Sequence, residues 1–173
     1  MSEHKFPTEV IDIPSGGKVY PKDSPLADGK IEIKYMTTKE EDILMSENLI
    51  KKGVVIDKLL DSLIVTKGVT SDTLIIGDKN AVLVACRILA YGPDYTCEIA
   101  NPNNPEQKVE HTFDLSTCPF KAPTEGVNYA DNLFEYKTPV SKNKIKFKIL
   151  TGNEEKLIEK DIKQSSKFGY NTD

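Results

Sequence analysis

A chain of 173 residues, 38% hydrophobic and 29% charged, is long enough for one domain whose core needs no disulfide or metal. Its net charge of −4 and its lack of tryptophan argue against a nucleic-acid-binding protein, which usually has a basic excess and aromatic stacking platforms. No apolar run reaches the ~20 residues that span a bilayer, and no signal peptide is apparent, so we expect the chain to fold in a cytoplasm.

Residues 1–35 are predicted to form an extended N-terminal arm of short strands separated by turns. Glycine and proline in Pro14-Ser15-Gly16-Gly17 and in residues 21–29 provide the turns. The glycine pair lacks the Gly-x4-Gly-Lys-Ser/Thr spacing of a phosphate-binding loop. We therefore expect no nucleotide cofactor.

Residues 36–93 are predicted to form a core of about three helices. The first begins at Thr37 or Thr38, because each has a glutamate three residues later, the spacing of a capping box. It is predicted to end at Gly53, where glycine suits a helix C-terminus. The second helix is predicted over residues 56–65, with leucines on one face.

The third helix is predicted to run from an N-cap at Asp78 to a stop at Gly92-Pro93. It is apolar on every face, which is typical of a helix that is buried or docks on a partner. Its expected core residues are Val82, Leu83, Cys86 and Leu89.

Arg87 is the only charged residue between Lys79 and Asp94. A buried arginine must be paired or reach the surface. We expect it to reach solvent or to pair with a carboxylate such as Asp57, Asp61 or Asp78, and we favour Asp57 or Asp61 on the preceding helix; the alternative is that it contacts another subunit.

Residues 94–151 are predicted to form a small antiparallel sheet, followed by a helix and tail over residues 152–173. Two strands, at residues 95–100 and 109–115, are expected to flank a long polar loop. A strand is predicted over residues 133–136. A half-buried strand is predicted over residues 144–149, with its lysines facing solvent or an acidic partner.

No residues form a recognisable catalytic or metal-binding pattern. Cys86, Cys97 and Cys118 are irregularly spaced, whereas zinc sites usually contain close cysteine pairs. A nucleophilic pair of Cys118 with His111 would need an orienting third group, and none is apparent. The sequence favours a protein that is not an enzyme and binds no cofactor.

The order of several segments resembles the baseplate hub family of T-even-type myoviruses. The segment Ile13-Pro14-Ser15-Gly16-Gly17-Lys18-Val19-Tyr20 is similar to that family's "LPS-x-G-x-x-Y" opening. Further similarity follows in order through the rest of residues 11–160, at residues 31–41, 56–60, Asp78, 83–88, 91–95 and 150–155. Each segment is short, and their common order carries the resemblance.

The resemblance implies a small tail protein that helps to build the central hub of a contractile-tail baseplate, with no enzymatic activity. Other phage tail or hub proteins are the implied partners, and self-association is a further option. The candidate structural or interface residues are Pro14, Ser15, Gly17, Tyr20, Asp57, Asp78, Arg87 and Gly92.

One departure concerns metal binding. Many family members carry Cys-Pro-x-Cys at the hairpin tip, where this chain has Asn101-Pro102-Asn103-Asn104. Asparagine is a poor zinc ligand, so we expect no zinc here.

The expected fold class is α+β: a short-stranded arm, a helical cluster and a small antiparallel sheet with a terminal helix. The expected function is structural or in assembly, within the host cytoplasm or the virion. The alternative is a small metal- or nucleic-acid-binding regulatory module built on the hairpin and the lysine-rich strand.

Overall fold

The computed structural model describes residues 6–167 of the chain. Within this range, the fold contains five α-helices and three separate two-stranded antiparallel sheets. This architecture confirms the α+β class predicted from the sequence.

The N-terminal segment forms a hairpin that contributes to the core. Strand β1 (Thr8–Asp12) pairs antiparallel with β2 (Lys30–Lys34). The loop between them is closed at its base, where the Ile13 N–H donates to the Gly29 carbonyl at 2.9 Å. Because the two ends of the loop are held together, its Leu26 side chain can reach the core, where it is 1% exposed.

Helices occupy the middle of the chain. They are α1 (Thr38–Met45), α2 (Glu47–Lys51), α3 (Val55–Leu63) and α4 (Ile76–Tyr91). The predicted capping box at Thr37 and Glu40 is confirmed. The first predicted helix is in fact two, because the backbone at Ser46 is extended, and Ser46 then serves as the N-cap of α2.

The start of α4 corrects the sequence prediction. Ile75, and not Asp78, is the N-cap, so Asp78 is the third residue of the helix. Its carboxylate is buried and faces the N-terminal loop, where it accepts hydrogen bonds from Ser15. The predicted end at Gly92 is confirmed, and its positive φ of 82° explains the glycine.

The hydrophobic core lies entirely within the first half of the chain. The buried residues of this core cluster are Ile13, Leu26, Ile31, Ile33, Leu59, Leu60, Leu63, Val69, Leu74, Val82 and Cys86. Of the residues predicted for the α4 core face, Val82 and Cys86 are buried, while Leu83 and Leu89 are half-buried against the same cluster.

The second half of the chain consists of two hairpins and a helix. Strands β3 (Asp94–Asn101) and β4 (Asn104–Asp114) form the first hairpin, and β5 (Phe134–Lys137) and β6 (Lys144–Phe147) form the second. Helix α5 (Gly152–Lys167) follows, and its start packs so closely on residues 71–72 that a Cβ at Gly152 would lie 3.0 Å from the Ser71 carbonyl oxygen.

Two expectations for these hairpins are wrong. The predicted polar loop 101–107 is a tight turn, because the Asn101 side chain accepts the Asn103 N–H at 2.9 Å and lets β4 begin at Asn104. The strand predicted to be half-buried is exposed at all four residues of β6. Alternation of polar and apolar residues reveals a two-faced strand, but it cannot reveal whether another layer covers the apolar face.

Leu60 tests the position of the core. Its side chain is 0% exposed, so Leu60→Ala should lower the free energy of unfolding by ~2–5 kcal/mol through lost burial and a residual cavity. Urea denaturation measures the change. Met45→Ala, at a residue that is 79% exposed, is the control and should stay within ~0.5 kcal/mol of wild type. Equal effects of the two substitutions would contradict this core.

Glu40 is a buried carboxylate that links α1, α3 and β2. It accepts hydrogen bonds from Lys34 Nζ at 2.8 Å and from Ser62 Oγ at 2.6 Å, besides those of the cap. Burial alone would raise the pKa of Glu40, but the hydrogen bonds from Lys34, Ser62 and Thr37 outweigh it and lower the pKa to about 2.

This lowered pKa predicts an acid-dependent loss of stability. Ionised Glu40 stabilises the fold fully above its ordinary pKa of 4.5, and the contribution disappears as the pH falls towards about 2. In urea unfolding across this window, Glu40→Gln should show a shallower pH dependence than wild type. Glu41→Gln, at an exposed neighbour, should keep the wild-type slope. An unchanged slope in Glu40→Gln would contradict the assignment.

Candidate protein-binding surfaces

Asp78 fastens the N-terminal loop to the start of α4. Its carboxylate accepts the Ser15 N–H at 2.9 Å, the Ser15 hydroxyl at 2.7 Å and the Tyr20 hydroxyl at 2.8 Å. Both Asp78 and Ser15 are buried. A buried charge is costly unless it is hydrogen-bonded, and these three donors meet that need.

The Tyr20 hydroxyl makes a second hydrogen bond, in which it accepts the backbone N–H of Ile75 at 3.0 Å. That N–H belongs to the N-cap of α4, where no backbone partner within the helix is available. Burial raises the pKa of Tyr20 far above its ordinary value, and the Asp78 charge raises it further, against the opposite effect of the Ile75 N–H. Tyr20 is therefore a neutral hydrogen-bond donor to Asp78.

The same loop requires glycine at position 17. Gly17 has φ of 76°, and a Cβ there would lie 2.6 Å from the Leu26 carbonyl oxygen. Its N–H donates to the Ser15 hydroxyl at 3.2 Å. Ser15, Gly17, Tyr20 and Asp78 are thus brought together, and Pro14 lies half-buried beside them.

Asp57 belongs to a different cluster, which joins three helices. Its carboxylate pairs with Lys79 of α4 at 2.6 Å and with Lys156 of α5 at 2.8 Å, and Lys156 also pairs with Asp72. Burial alone would raise the pKa of Asp57, but Lys156 and Lys79 outweigh it and lower the pKa. Sequence reasoning missed both lysines, because nothing local signals a pairing across so many residues.

Arg87 corrects another prediction. Its guanidinium lies over the Tyr91 ring at 4.8 Å and the Tyr95 ring at 5.8 Å, and it donates to the Gly92 carbonyl at 3.2 Å. The expected pairing with Asp57, Asp61 or Asp78 is wrong. Those three carboxylates are engaged by the two lysines, by the Ser71 N–H, and by Ser15 and Tyr20. Arg87 instead contacts residues on both sides of the connection between α4 and β3 and stabilises it.

An apolar groove runs along the outer face of α4. Val84, Ala85 and Ile88 form its floor, and Leu115 and Phe120 form its far wall. Phe120 is 61% exposed. This groove explains why the helix is apolar on every face. One face packs against the core, and another lines the groove beside residues 115–120.

Both C-terminal hairpins carry an uncovered apolar face. Directly opposed residues of an antiparallel pair share a face. The first hairpin presents Tyr95, Val109 and Phe113, and the second presents Tyr136, Ile145 and Phe147. These six side chains are 37–54% exposed. Among the residues of 94–167 whose burial is described, only Gly152 is buried. Contiguous exposed apolar surface of this kind is typical of interaction sites.

All three cysteines are free thiols. Cys86 is buried in the core, and burial raises its pKa to about 12. Cys97 lies opposite His111 on the first hairpin, and Cys118 is exposed. Within residues 6–167, no three His, Cys, Asp or Glu side chains converge closely enough to hold a metal ion.

The segment of the chain with described coordinates contains no helix that is both long and apolar enough to cross a membrane.

The family model described as "T4 bacteriophage base plate protein" matches residues 6–167. The chain belongs to this family. The match extends from β1 to α5 and includes the Asp78 cluster, both hairpins and the α4 groove. No curated protein sequence and no solved structure matches the chain.

Membership of the T4 base plate family gives the exposed surfaces a context. The protein is a T4-type phage baseplate protein, and this family implies other phage tail proteins as partners. The family resemblance predicted from the ordered segments is therefore confirmed at the level of the baseplate.

The Asp78 cluster predicts a strong and coupled effect on stability. Asp78→Ala should lower the free energy of unfolding by ~2–5 kcal/mol, because it strands the donors of Ser15 and Tyr20 in the interior. Tyr20→Phe should cost ~1–3 kcal/mol. The double variant should lose less than the sum, since both changes remove the same hydrogen bond.

Chemical denaturation of the four proteins of this cycle measures the coupling. Asp42→Ala, an exposed change on α1, should stay within ~0.5 kcal/mol of wild type. Strict additivity of the two single changes would show that Tyr20 and Asp78 act independently and would contradict the cluster.

Proposed function

We propose that this protein is a non-enzymatic component or assembly factor of the central baseplate hub of a contractile-tailed phage, a myovirus. It acts by protein–protein contact, in the host cytoplasm during assembly. Two findings support the proposal: the family match over residues 6–167, and the similarity of the ordered segments to hub proteins.

The observation that carries the proposal is the distribution of apolar surface. The core cluster ends at Cys86, while the hairpins after it leave large apolar side chains in solvent. Burying such surface contributes ~25 cal/mol per Å². A partner that covers these faces would therefore bury apolar surface that the isolated chain exposes, and this burial would stabilise the complex.

The first half of the chain is suited to support this surface. The Asp78 cluster fixes the start of helix α4. At its end, the Arg87 guanidinium lies over the rings of Tyr91 and Tyr95. The first hairpin begins two residues after Gly92. A helix fixed at both ends presents that hairpin to a partner in a defined direction, which reduces the ordering cost of binding.

The chemistry of the buried groups supports a non-enzymatic role. The carboxylates of Glu40 and Asp78 are each engaged by several donors inside the fold. A general base needs a lone pair directed at a substrate and a pKa near the working pH. The pKa of about 2 at Glu40 and of about 12 at Cys86 are far from that range.

Complementation of a phage whose own copy of the gene is inactivated tests the proposal. The variant Tyr136→Ser/Ile145→Ser removes an exposed, directly opposed apolar pair from the second hairpin, keeps the stacked rings of Phe134 and Phe147, and should leave the fold stable. The yield of infectious particles should fall at least ~10-fold, because aromatic side chains are common interface anchors. Electron microscopy should show tails that lack a complete baseplate centre.

The matched control is Met45→Ser/Ile50→Ser, which removes comparably exposed apolar side chains from the first half of the chain. It should complement normally. Normal particle yield with the hairpin variant, or equal loss with both, would contradict the proposal. Immunoblotting of purified virions separates the two roles, since a component stays in the particle and an assembly factor does not.

A further inference from the structure

The first hairpin has an acidic face behind its apolar one. Asp94 lies directly opposite Asp114, and Glu98 lies directly opposite Glu110. Like charges in directly opposed positions destabilise a strand pair. The hairpin contains five carboxylates and one lysine, a net charge of −4. One exposed bridge, Lys108 to Glu98 at 3.5 Å, offsets only part of this charge.

The second hairpin has the reverse character. Lys137 lies directly opposite Lys144, and Lys146 lies opposite Glu135 with an exposed bridge of 3.4 Å. Residues 134–147 contain four lysines and one glutamate, a net charge of +3. Exposed bridges of this kind contribute little and exchange readily.

The two hairpins do not share a sheet. Each is a separate two-stranded sheet, so both strands of each hairpin are edges with unpaired backbone groups. An open edge is a template for another strand. Lysines on an edge usually discourage such pairing, but they favour it where the incoming edge carries carboxylates.

We propose that the acidic hairpin β3–β4 of one molecule adds edge to edge to the basic hairpin β5–β6 of a second copy of this chain. In the resulting four-stranded sheet, one strand of the first hairpin lies beside β6, so that the carboxylates of that strand, Glu98 on β3 or Glu110 on β4, approach Lys144 and Lys146. Strand alternation brings the apolar faces of both hairpins together on the other side. Two such contacts, related by a twofold axis, close a dimer.

The occupant is a second copy because the chain itself carries both complementary surfaces. Charge of opposite sign, open edges and a matching apolar face occur together on its two hairpins. This inference does not depend on the hub proposal, since it concerns the purified protein alone.

Sedimentation velocity of the full chain tests the contact. The wild type should form dimers, and raising the salt from ~0.05 M to ~0.5 M should weaken them, because exposed charges are screened. Glu98→Lys/Glu110→Lys changes the net charge of the first hairpin from −4 to 0, and Lys144→Glu/Lys146→Glu changes that of the second from +3 to −1. Each variant alone should show a dissociation constant raised at least ~10-fold.

The decisive measurement is the mixture. An equimolar mixture of the two charge-reversed variants should associate again, because each supplies the surface the other has lost. Glu41→Lys/Asp42→Lys and Lys39→Glu/Lys58→Glu carry the same charge changes at exposed helix positions, and both should dimerise as the wild type does. Circular dichroism confirms that every variant is folded.

Three outcomes would overturn the proposal. One is a wild type that stays monomeric up to ~100 µM, a concentration at which a weak specific dimer is detectable. Another is a dimer that neither charge reversal affects. The third is a mixture of the two charge-reversed variants that stays monomeric.

Discussion

The hydrogen bonds that converge on Asp78 hold the N-terminal loop against the long helix α4, and the rest of the arrangement depends on them. Ser15 and Tyr20 supply three of these bonds across about sixty residues of sequence. Tyr20 then caps the helix through the Ile75 N–H. Because a buried carboxylate without donors is strongly unfavourable, the loop and the helix start are stable only together. Leu26 and Ile13, which lie in the same loop, are part of the core.

Because α4 is attached in this way, the molecule has two parts: a packed core that includes α4, and the hairpins after α4, which expose their surfaces to solvent. The core of residues 13–86 contains nearly all of the buried apolar surface. The hairpins beyond α4 expose apolar rings on one face and like charges on the other. The exposed apolar and charged groups are thus concentrated on the two hairpins, as is typical of interaction sites. That distribution suits a baseplate protein whose surroundings are other proteins.

Local signals in the sequence predicted local structure well. The capping box of Thr37 and Glu40 and the helix end at Gly92 both depend on residues within one turn of each other. The long-range partners could not be predicted in this way. Aspartate is a common N-cap residue, which is why that role is predicted for Asp78. Its hydrogen-bond partners are instead Ser15 and Tyr20, and a capping rule gives no information about residues so distant in sequence.

Two of the wrong predictions, one about Arg87 and one about β6, have related causes. Arg87 was expected to need a carboxylate, yet two aromatic rings and a carbonyl at the helix end satisfy it. The β6 strand was expected to be half-buried, yet its apolar residues face solvent. In both cases the sequence shows which interaction a side chain requires, either pairing of a charge or burial of an apolar group. Which residue provides that interaction depends on the tertiary or quaternary structure.

The most direct test of this account is native-state hydrogen exchange of the purified protein. The account predicts that amides of α3 and α4, around Leu60 and Val82, exchange slowest, through global unfolding, and that Asp78→Ala accelerates them together. Amides of β3 to β6 should exchange faster, by local opening, with little response to that change. Protection of the hairpins equal to that of α4, or protection of α4 that Asp78→Ala leaves untouched, would contradict the central role of this carboxylate.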